Sequence, residues 1–180
     1  MVWSSNHQHL LTLSGDRFAR LWSTEGGKIE LPGRDRIESG VATPDAGFAT
    51  ADVGGEVVWW SGEGVSVGRS DVGSGAVIVD GDESWPLAPA LAVDPDGALL
   101  VAAGRRLLRF TEPGGTPTEV PLPADATAVA SGSVVGTADG QVLWVGERGV
   151  RATARAGDGD RKSTRLNSSH SSVSRMPSSA

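Results

Sequence analysis

The chain contains no cysteine, which excludes disulfide bonds and thiolate metal sites. It also lacks an uninterrupted apolar run of membrane-spanning length, and Met1 is not followed by the basic and then apolar segments of a secretory signal. Because both kinds of segment are missing, we expect no membrane association, and we favour a cytoplasmic location. Lysine is also scarce, since Lys28 is the only lysine in the first 159 residues.

Basic residues are in deficit overall. Sixteen Lys and Arg stand against 22 Asp and Glu, a net charge of −6. Four of the basic residues and one acidic residue lie in residues 160–180, so the first 159 residues hold 12 against 21, a net charge of −9. Affinity for nucleic acid depends on neutralising phosphates with Lys and Arg, so we expect no nucleic-acid partner. The simpler explanation of the acidic charge is solubility.

Glycine and proline are plentiful instead. The 180 residues include 25 Gly and 10 Pro beside many Val, Thr and Ala, which favours short strands and tight turns in one domain. The excess of Arg over Lys, with abundant Ala, Gly and Val, indicates a GC-rich bacterial gene.

One strand–turn–strand–turn–strand unit occurs four times. The copies occupy residues 3–23, 41–61, 91–111 and 129–146. Each ends on a bulky apolar residue, and these are separated by 38, 50 and 35 positions: Trp22, Trp60, Phe110 and Val145. A weaker fourth strand follows each unit and is expected at an outer rim. Units of this size cannot bury their own faces, so they must stack on one another.

The turns and third strands support this stacking. Asp94-Pro95-Asp96-Gly97 combines a preset turn dihedral, an amide-capping carboxylate and a residue that accepts positive φ. The third strands at residues 57–60 and 142–145 are apolar on both phases, as expected of a sheet packed on both faces. We therefore expect three repeat tryptophans to lie in the core: Trp59, Trp60 and Trp144.

The units resemble the blades of WD-repeat β-propellers. Arg20-Leu21-Trp22-Ser23 carries most of the resemblance, with a weaker counterpart at residues 57–61. No unit has the family's Gly-His pair ahead of the first strand or its closing Trp-Asp dipeptide. The resemblance covers most of residues 1–156. It implies an all-β fold, a partial β-propeller of about four blades in which each blade is a small antiparallel sheet.

We expect the propeller fragment to occupy residues 1–157. Its blades are predicted near residues 1–32, 33–70, 87–123 and 124–156. Residues 71–89 form an insertion, which is either a loop on one face or a degenerate extra strand. A slice of a propeller exposes two apolar blade faces, so we expect a crescent with further blades or domains of the same chain missing.

Residues 158–180 are expected to be disordered and non-native. From Asp160 to His170 the sequence matches the translation of a common short-read sequencing adapter, and the stretch from Ser174 to Ala180 resembles the distal part of the same oligonucleotide. Both pieces share one reading frame. The alternative is an ordinary Ser-rich disordered tail, and either interpretation keeps the segment out of fold reasoning.

Few residues suggest chemistry. His7 and His9 share one side of a strand, but zinc needs three or four ligands and no other His lies in the first 159 residues. The loop Asp80-Gly81-Asp82-Glu83 lacks the ligand spacing of a calcium loop. Gly73-Ser74-Gly75 lacks the Lys and the helix of a phosphate cradle. We therefore expect no catalytic residue, no cofactor and no metal, and we do not expect an enzyme.

Three residues are candidates for partner contact. Trp85 lies beside Pro86 in the polar insertion, outside the repeat pattern, and exposed Trp anchors often dominate interfaces. Arg105 and Arg106, with Arg109, could form a small basic spot for an acidic partner. The simpler interpretations are a Trp85 that packs under its own loop and arginines on a solvated strand edge.

The leading hypothesis is a non-catalytic propeller segment that acts as a protein-interaction scaffold or sensor module of a larger protein, with an unidentified protein partner. The alternative is a propeller enzyme or small-ligand binder with a site at the central channel. That alternative requires polar or His residues where the first strands begin, and Ser39, Pro89 and Thr127 supply little there. A third hypothesis is a structural appendage to a kinase or ATPase encoded on the flanks.

Overall fold

The chain is built from β-strands alone over the part that is described. A computed structural model describes residues 1–80, 82–146 and 148–155. This part contains 18 strands and no helix. Sixteen strands form four antiparallel sheets, and the remaining two form a hairpin between the second and third sheets. The expected all-β class is confirmed, whereas the tail predicted at residues 158–180 lies outside the described residues.

The strands of each sheet pair in the order in which they follow along the chain. Sheet 1 consists of β1 (Val2–Trp3), β2 (His9–Leu13), β3 (Phe18–Ser23) and β4 (Lys28–Pro32). Sheet 2 consists of β5 (Ile37–Ala42), β6 (Phe48–Asp52), β7 (Glu56–Trp60) and β8 (Ser66–Asp71). The hairpin consists of β9 (Val77–Asp80) and β10 (Glu83–Pro86). Sheet 3 consists of β11 (Ala90–Val93), β12 (Leu99–Ala103), β13 (Arg106–Phe110) and β14 (Thr118–Pro121). Sheet 4 consists of β15 (Ala126–Ala130), β16 (Val134–Thr137), β17 (Gln141–Gly146) and β18 (Gly149–Arg155).

The turn between β11 and β12 is made by the residues that predict it. The N–H of Gly97 donates to the carbonyl of Asp94 at 2.9 Å. The carboxylate of Asp96 accepts the N–H of Ala98 at 3.2 Å. Gly97 has a φ of +90°, a conformation that side-chain-bearing residues rarely adopt. The short reversal therefore follows directly from the local sequence.

The four sheets stand side by side, with their first strands innermost. Strand β1 contacts β5, β5 contacts β11, and β11 contacts β15. The fourth strands form the opposite edges of the sheets. Within the described ranges no comparable contact joins sheet 4 back to sheet 1, so the sheets form an open arc. This arrangement is a partial β-propeller, as the resemblance implies.

Each pair of neighbouring sheets encloses its own apolar core. The core between sheets 1 and 2 includes Leu11, Leu21, Phe48 and Trp60. The core between sheets 2 and 3 includes Val57, Trp59, Leu99 and Phe110. The core between sheets 3 and 4 includes Leu100, Leu107, Val135 and Leu143. The sheets thus cover one another's apolar faces, which no single sheet buries alone.

Strand β7 explains why the third strands lack alternation. Val57 and Trp59 face sheet 3, whereas Val58 and Trp60 face sheet 1. Both tryptophans are 4% exposed. On the sheet 3 side, the ring of Trp59 meets that of Phe110 edge to face, with centroids 5.1 Å apart and an interplanar angle of 64°. Both phases of this strand are apolar because both faces are covered.

The expectation that Trp144 is buried is wrong. Trp144 pairs with Val134 in sheet 4 as Trp59 pairs with Ala49 in sheet 2, so the two tryptophans occupy equivalent positions. Trp144 is nevertheless 42% exposed. Sheet 4 packs on sheet 3 through its other face, where Leu143 is fully buried. In the described part of the chain, no fifth sheet lies against the face that carries Trp144. The repeat pattern identifies the position but not whether a neighbour covers it.

Candidate protein-interaction surface

The loops collect at two ends of the arc because all four sheets are meanders of the same order. One end, here called the hairpin end, holds the connections between sheets, the turns between second and third strands, and the hairpin. The other, the turn end, holds the remaining turns. Backbone hydrogen bonds connect successive loops at the hairpin end, since the N–H of Val72 donates to Gly55 at 2.9 Å and that of Ala126 donates to Gly104 at 2.8 Å. The bond from Val72 joins two loops of sheet 2, and the bond from Ala126 joins loops of sheets 3 and 4.

The hairpin rises from a fixed stem. The N–H of Gly75 donates to the carbonyl of Leu87 at 2.9 Å, and the N–H of Leu87 donates to the carbonyl of Ala76 at 2.8 Å. Val72 and Ala76 are buried at its base. A Cβ on Gly75 would lie 2.7 Å from the carbonyl oxygen of Ala88, so only glycine fits there without a shift. These bonds join the two arms of the stem to each other, and the N–H of Val72, which donates to the carbonyl of Gly55, attaches the stem to sheet 2.

Above the stem the hairpin is apolar and open to solvent. Trp85 pairs with Ile78 across the two strands, which places both side chains on one face. Trp85 is 42% exposed and Ile78 is 48% exposed. Val77 and Val79 project from the opposite face and are 50% and 69% exposed. Exposed apolar side chains that are grouped in this way are typical of a surface that binds a partner, and not of a surface that faces only solvent.

Arg105 and Arg106 lie at the foot of this hairpin. The guanidinium of Arg106 donates to the carbonyl of Val72 in the stem, and its Nη1 lies 3.6 Å from the Glu119 carboxylate. Arg105 is exposed and donates to the carbonyl of Pro123. A carbonyl of the stem therefore holds the Arg106 guanidinium at the foot of the hairpin, whereas the Arg105 guanidinium lies at the loop between sheets 3 and 4. The three predicted contact residues lie at one end of the molecule.

Arg109 does not join that basic spot. It lies at the other end of β13, at the turn end, where its Nε is 3.7 Å from the Asp94 carboxylate and its Nη2 binds Asp96. The N–H of Ala98 and the neighbouring Arg109 hold the pKa of Asp96 below its usual value. The charge of Arg109 is thus balanced locally at the turn end, as that of Arg106 is partly balanced by Glu119 at the hairpin end.

An exposed ion pair links the loop between sheets 1 and 2 to the strand that leads into the hairpin. Arg34 Nη1 lies 3.2 Å from Asp71 Oδ2. The N–H of Gly73 donates to Asp71 Oδ1 at 3.2 Å. The hydrogen bond from Gly73, followed by that from Arg34, holds the pKa of Asp71 below its usual value. This carboxylate therefore stays charged at neutral pH and ties the loop between sheets 1 and 2 to the base of the hairpin.

Two cavities open at the turn end. One, of about 330 Å³, lies between sheets 2 and 3 and is lined in part by Asp45, Trp59 and Glu112. The other, of about 680 Å³, lies between sheets 3 and 4 and includes Arg109 and Arg151. The first strands, which form the inner edge of the arc, contribute no residue to either wall. Neither cavity therefore corresponds to the central-channel site of the alternative hypothesis.

The histidine pair does not form part of a larger ligand set in the described ranges. His7 lies in the turn between β1 and β2 with a φ of 57°, and His9 begins β2. Across residues 1–80, 82–146 and 148–155, no group of three or more His, Asp or Glu side chains is placed to hold a metal ion. The same part of the chain has no helix long and apolar enough to cross a membrane.

Two sheets contain the same tryptophan–threonine hydrogen bond, which is not among the sequence-based expectations. Trp60 Nε1 donates to Thr50 Oγ1 at 2.9 Å inside the core between sheets 1 and 2. Trp22 Nε1 donates to Thr12 Oγ1, also at 2.9 Å, on the uncovered face of sheet 1. Both pairs are ten residues apart, and this shared spacing is the signal that the sequence offers. The covered and the uncovered face are thus built alike.

The fold is WD40-like. The structure of U3-55K and the crystal structure of RRP9 WD40 repeats each match the chain with a TM-score of 0.67 at 16% sequence identity. Each match covers 86% of this chain and 48% of the matched chain, so the protein spans about half the length of these structures. No protein-family model and no curated protein sequence matches the chain. At this identity, the likeness establishes the β-propeller fold alone.

Proposed function

We propose that the protein is a non-catalytic scaffold that binds another protein at the hairpin end. Trp85 and Ile78 supply the apolar contact, and Arg105 and Arg106 supply positive charge beside it. The observation that carries this proposal is a hairpin with exposed apolar side chains on both faces, standing on a stem that is hydrogen-bonded to the body. As part of a larger protein, the same surface would serve a scaffold or sensor module.

A partner that covers the hairpin is expected to stabilise it. An isolated pair of strands is marginally stable in water, because neither face is buried. A partner that covers one face removes Trp85 and Ile78 from solvent together, since the two are cross-strand neighbours. Buried tryptophans of this kind are common interface hot spots, worth about 2 kcal/mol or more on truncation to alanine.

The charges around the hairpin restrict the partner. Its tip carries Asp82 and Glu83, whereas its foot carries Arg105 and Arg106. A matching partner therefore has an apolar cleft for Trp85, with carboxylates on the side that reaches the foot and none facing the tip. Its contacts with the arginines are expected to set register and association rate more than affinity.

A displayed peptide library tests the proposal while the partner is still unidentified. Peptides are selected on the full chain, and their dissociation constants are measured for the wild type and for Trp85→Ala. We expect binding to weaken by about 30-fold or more for Trp85→Ala. The matched control is Val65→Ala, which truncates an apolar side chain that is 59% exposed at the turn end and is expected to leave affinity unchanged.

Two results would contradict this assignment. One is a set of selected peptides that bind the Trp85→Ala chain as tightly as the wild type. The other is an equal loss of affinity in Val65→Ala, which would place the contact at the turn end. In the supporting case, Arg105→Ala combined with Arg106→Ala weakens binding more at low salt than at high salt, since screening reduces exposed charge contacts.

A further inference from the structure

In the part of the chain that the structure describes, the two outermost sheet faces of the arc are open. The front face of sheet 1, defined here by Leu10, Thr12, Arg20 and Trp22, points away from sheet 2. The back face of sheet 4, defined by Val134, Gly136, Val142 and Trp144, points away from sheet 3. Trp22 and Trp144 are each 42% exposed. Both faces therefore present a half-exposed tryptophan at the centre of a sheet.

The back face of sheet 4 is uncharged along its paired strands. Besides the four defining residues, its register places alanines on the same face: Ala128, Ala130, Ala152 and Ala154. All four alanines are exposed. A sheet face that meets solvent normally carries polar residues, which alternate along each strand with the apolar residues of the buried face. An uncharged sheet face of this extent is therefore characteristic of a surface that is covered by another sheet.

The interface between sheets 2 and 3 shows how such a face is covered. The face of sheet 2 that corresponds in register to the back face of sheet 4 consists of Ala49, Ala51, Val57 and Trp59. It is covered by the face of sheet 3 that corresponds to the front face of sheet 1, namely Leu99, Val101, Leu108 and Phe110. Trp144 occupies the position of Trp59, and Trp22 occupies the position of Phe110. The two open faces are thus the two halves of an interface that the protein already forms internally.

The charged side chains on the front face are paired with one another. Arg20 Nη2 lies 2.9 Å from Asp16 Oδ2, and Arg20 Nε lies 3.6 Å from Glu30 Oε1. Lys28 Nζ lies 3.0 Å from the same Glu30 oxygen. The cations are therefore paired within sheet 1, so an uncharged covering surface leaves no charge without a partner, and the apolar contact must offset the cost of desolvating these pairs. Gly136, which has no side chain, occupies on the back face the register position of Ala51.

We propose that two copies of the chain associate head to tail, with the front face of sheet 1 in each copy covering the back face of sheet 4 in the other. Trp22 of one copy then packs against Trp144 of its partner, as Phe110 packs against Trp59. Each copy offers one face of each kind, so two identical contacts close the assembly and leave no face uncovered. The result is a ring of eight sheets, within the range of about four to eight that propellers form.

One further observation favours this occupant. The hairpin end is not part of either open face, so the pairing leaves the surface assigned under the proposed function free.

The mass in solution and a complementation of two variants test the proposal. The full chain is expected to sediment at twice the 18.5 kDa of one copy. Trp22→Glu and Trp144→Glu are each expected to raise the dissociation constant of the dimer by about 100-fold or more, because each places a carboxylate in both contacts. An equimolar mixture of the two variants recovers a dimer, since one contact in the mixed pair is unaltered. Val65→Glu, at an exposed site outside both faces, is expected to remain dimeric.

Cross-linking determines which faces meet. The chain has no cysteine, so Leu10→Cys and Val134→Cys each introduce a single thiol. Packed sheets lie about 10 Å apart, so a bifunctional maleimide of that reach is expected to join the two variants when they are mixed and neither variant to itself. Self-cross-linking of either variant alone would overturn the head-to-tail arrangement. A chain that remains monomeric at the highest soluble concentration would overturn the proposal itself and leave the faces to further sheets, either of a longer form of the same chain or of another polypeptide.

Discussion

Replacing Trp59 with alanine tests the packing of sheet against sheet. Trp59 is 4% exposed between sheets 2 and 3, and its ring meets Phe110 edge to face at 5.1 Å. Trp144 occupies the corresponding register position in sheet 4 but is 42% exposed. Trp144→Ala is therefore a matched control, because it removes the same side chain from the same type of strand without opening an internal cavity.

The expected difference is large. Truncating a buried aromatic side chain to alanine costs about 3–5 kcal/mol, and this includes the loss of an edge-to-face pair worth about 0.5–1.5 kcal/mol. We expect Trp59→Ala to lower the free energy of unfolding by about 4 kcal/mol. Trp144→Ala is expected to cost less than about 1 kcal/mol at protein concentrations where copies do not associate.

Urea denaturation followed by far-UV circular dichroism measures both changes. With a denaturant dependence of about 2 kcal/mol per M, Trp59→Ala is expected to shift the midpoint by about 2 M. Domains of this size have a total stability of about 5–15 kcal/mol, so Trp59→Phe serves as a milder variant that keeps the ring contact and is expected to lose less than half as much. Equal midpoints for Trp59→Ala and Trp144→Ala would refute the stacked arrangement.

Three further changes probe the turns and the open face. Asp52 is 2% exposed and its carboxylate accepts two backbone N–H groups at 2.9 Å, so Asp52→Ala is expected to lower the free energy of unfolding by about 1–3 kcal/mol in chemical denaturation. In Gly55→Ala the new Cβ would lie 2.2 Å from the backbone of Gly73. Gly140 also has a positive φ, but no atom lies within 4 Å of a Cβ placed there. The melting temperature of Gly55→Ala is therefore expected to be well below that of Gly140→Ala. The hydrogen bond from Arg20 lowers the pKa of Asp16 from 3.8 to about 2, so its stabilising contribution is complete above pH 3.8 and is lost as the pH falls through 2. Asp16→Asn should therefore flatten the dependence of stability on pH in that window, and an unchanged slope would contradict the ion pair.

Much of the fold is predictable because local sequence and global packing agree. The Asp94-Pro95-Asp96-Gly97 turn forms where its residues indicate it, since Gly97 accepts the positive φ that the reversal requires. Strand β7 is apolar on both phases because sheets cover both of its faces. These features depend on residues within one repeat or on the fact that repeats stack.

The remaining features depend on relations between distant parts of the chain. Trp144 matches Trp59 in sequence, but its exposure depends on whether another sheet lies beside it. The insertion at residues 71–89 contains a hairpin because Ile78 and Trp85 pair across it, and a continuous apolar run does not reveal that pairing. Arg106 and Arg109 are close in sequence, yet three residues of extended strand separate them by about 10 Å, at opposite ends of β13.

Amide hydrogen exchange, resolved strand by strand, tests most directly whether stacked sheets carry an uncovered hairpin. The amides of β6, β7, β12 and β13 lie in sheets covered on both faces and are expected to exchange slowest, whereas those of β9 and β10 are expected to exchange fastest among the strands. Protection of the hairpin equal to that of β7 in the isolated chain would contradict both the arrangement of the sheets and the assignment of the hairpin as a free contact surface.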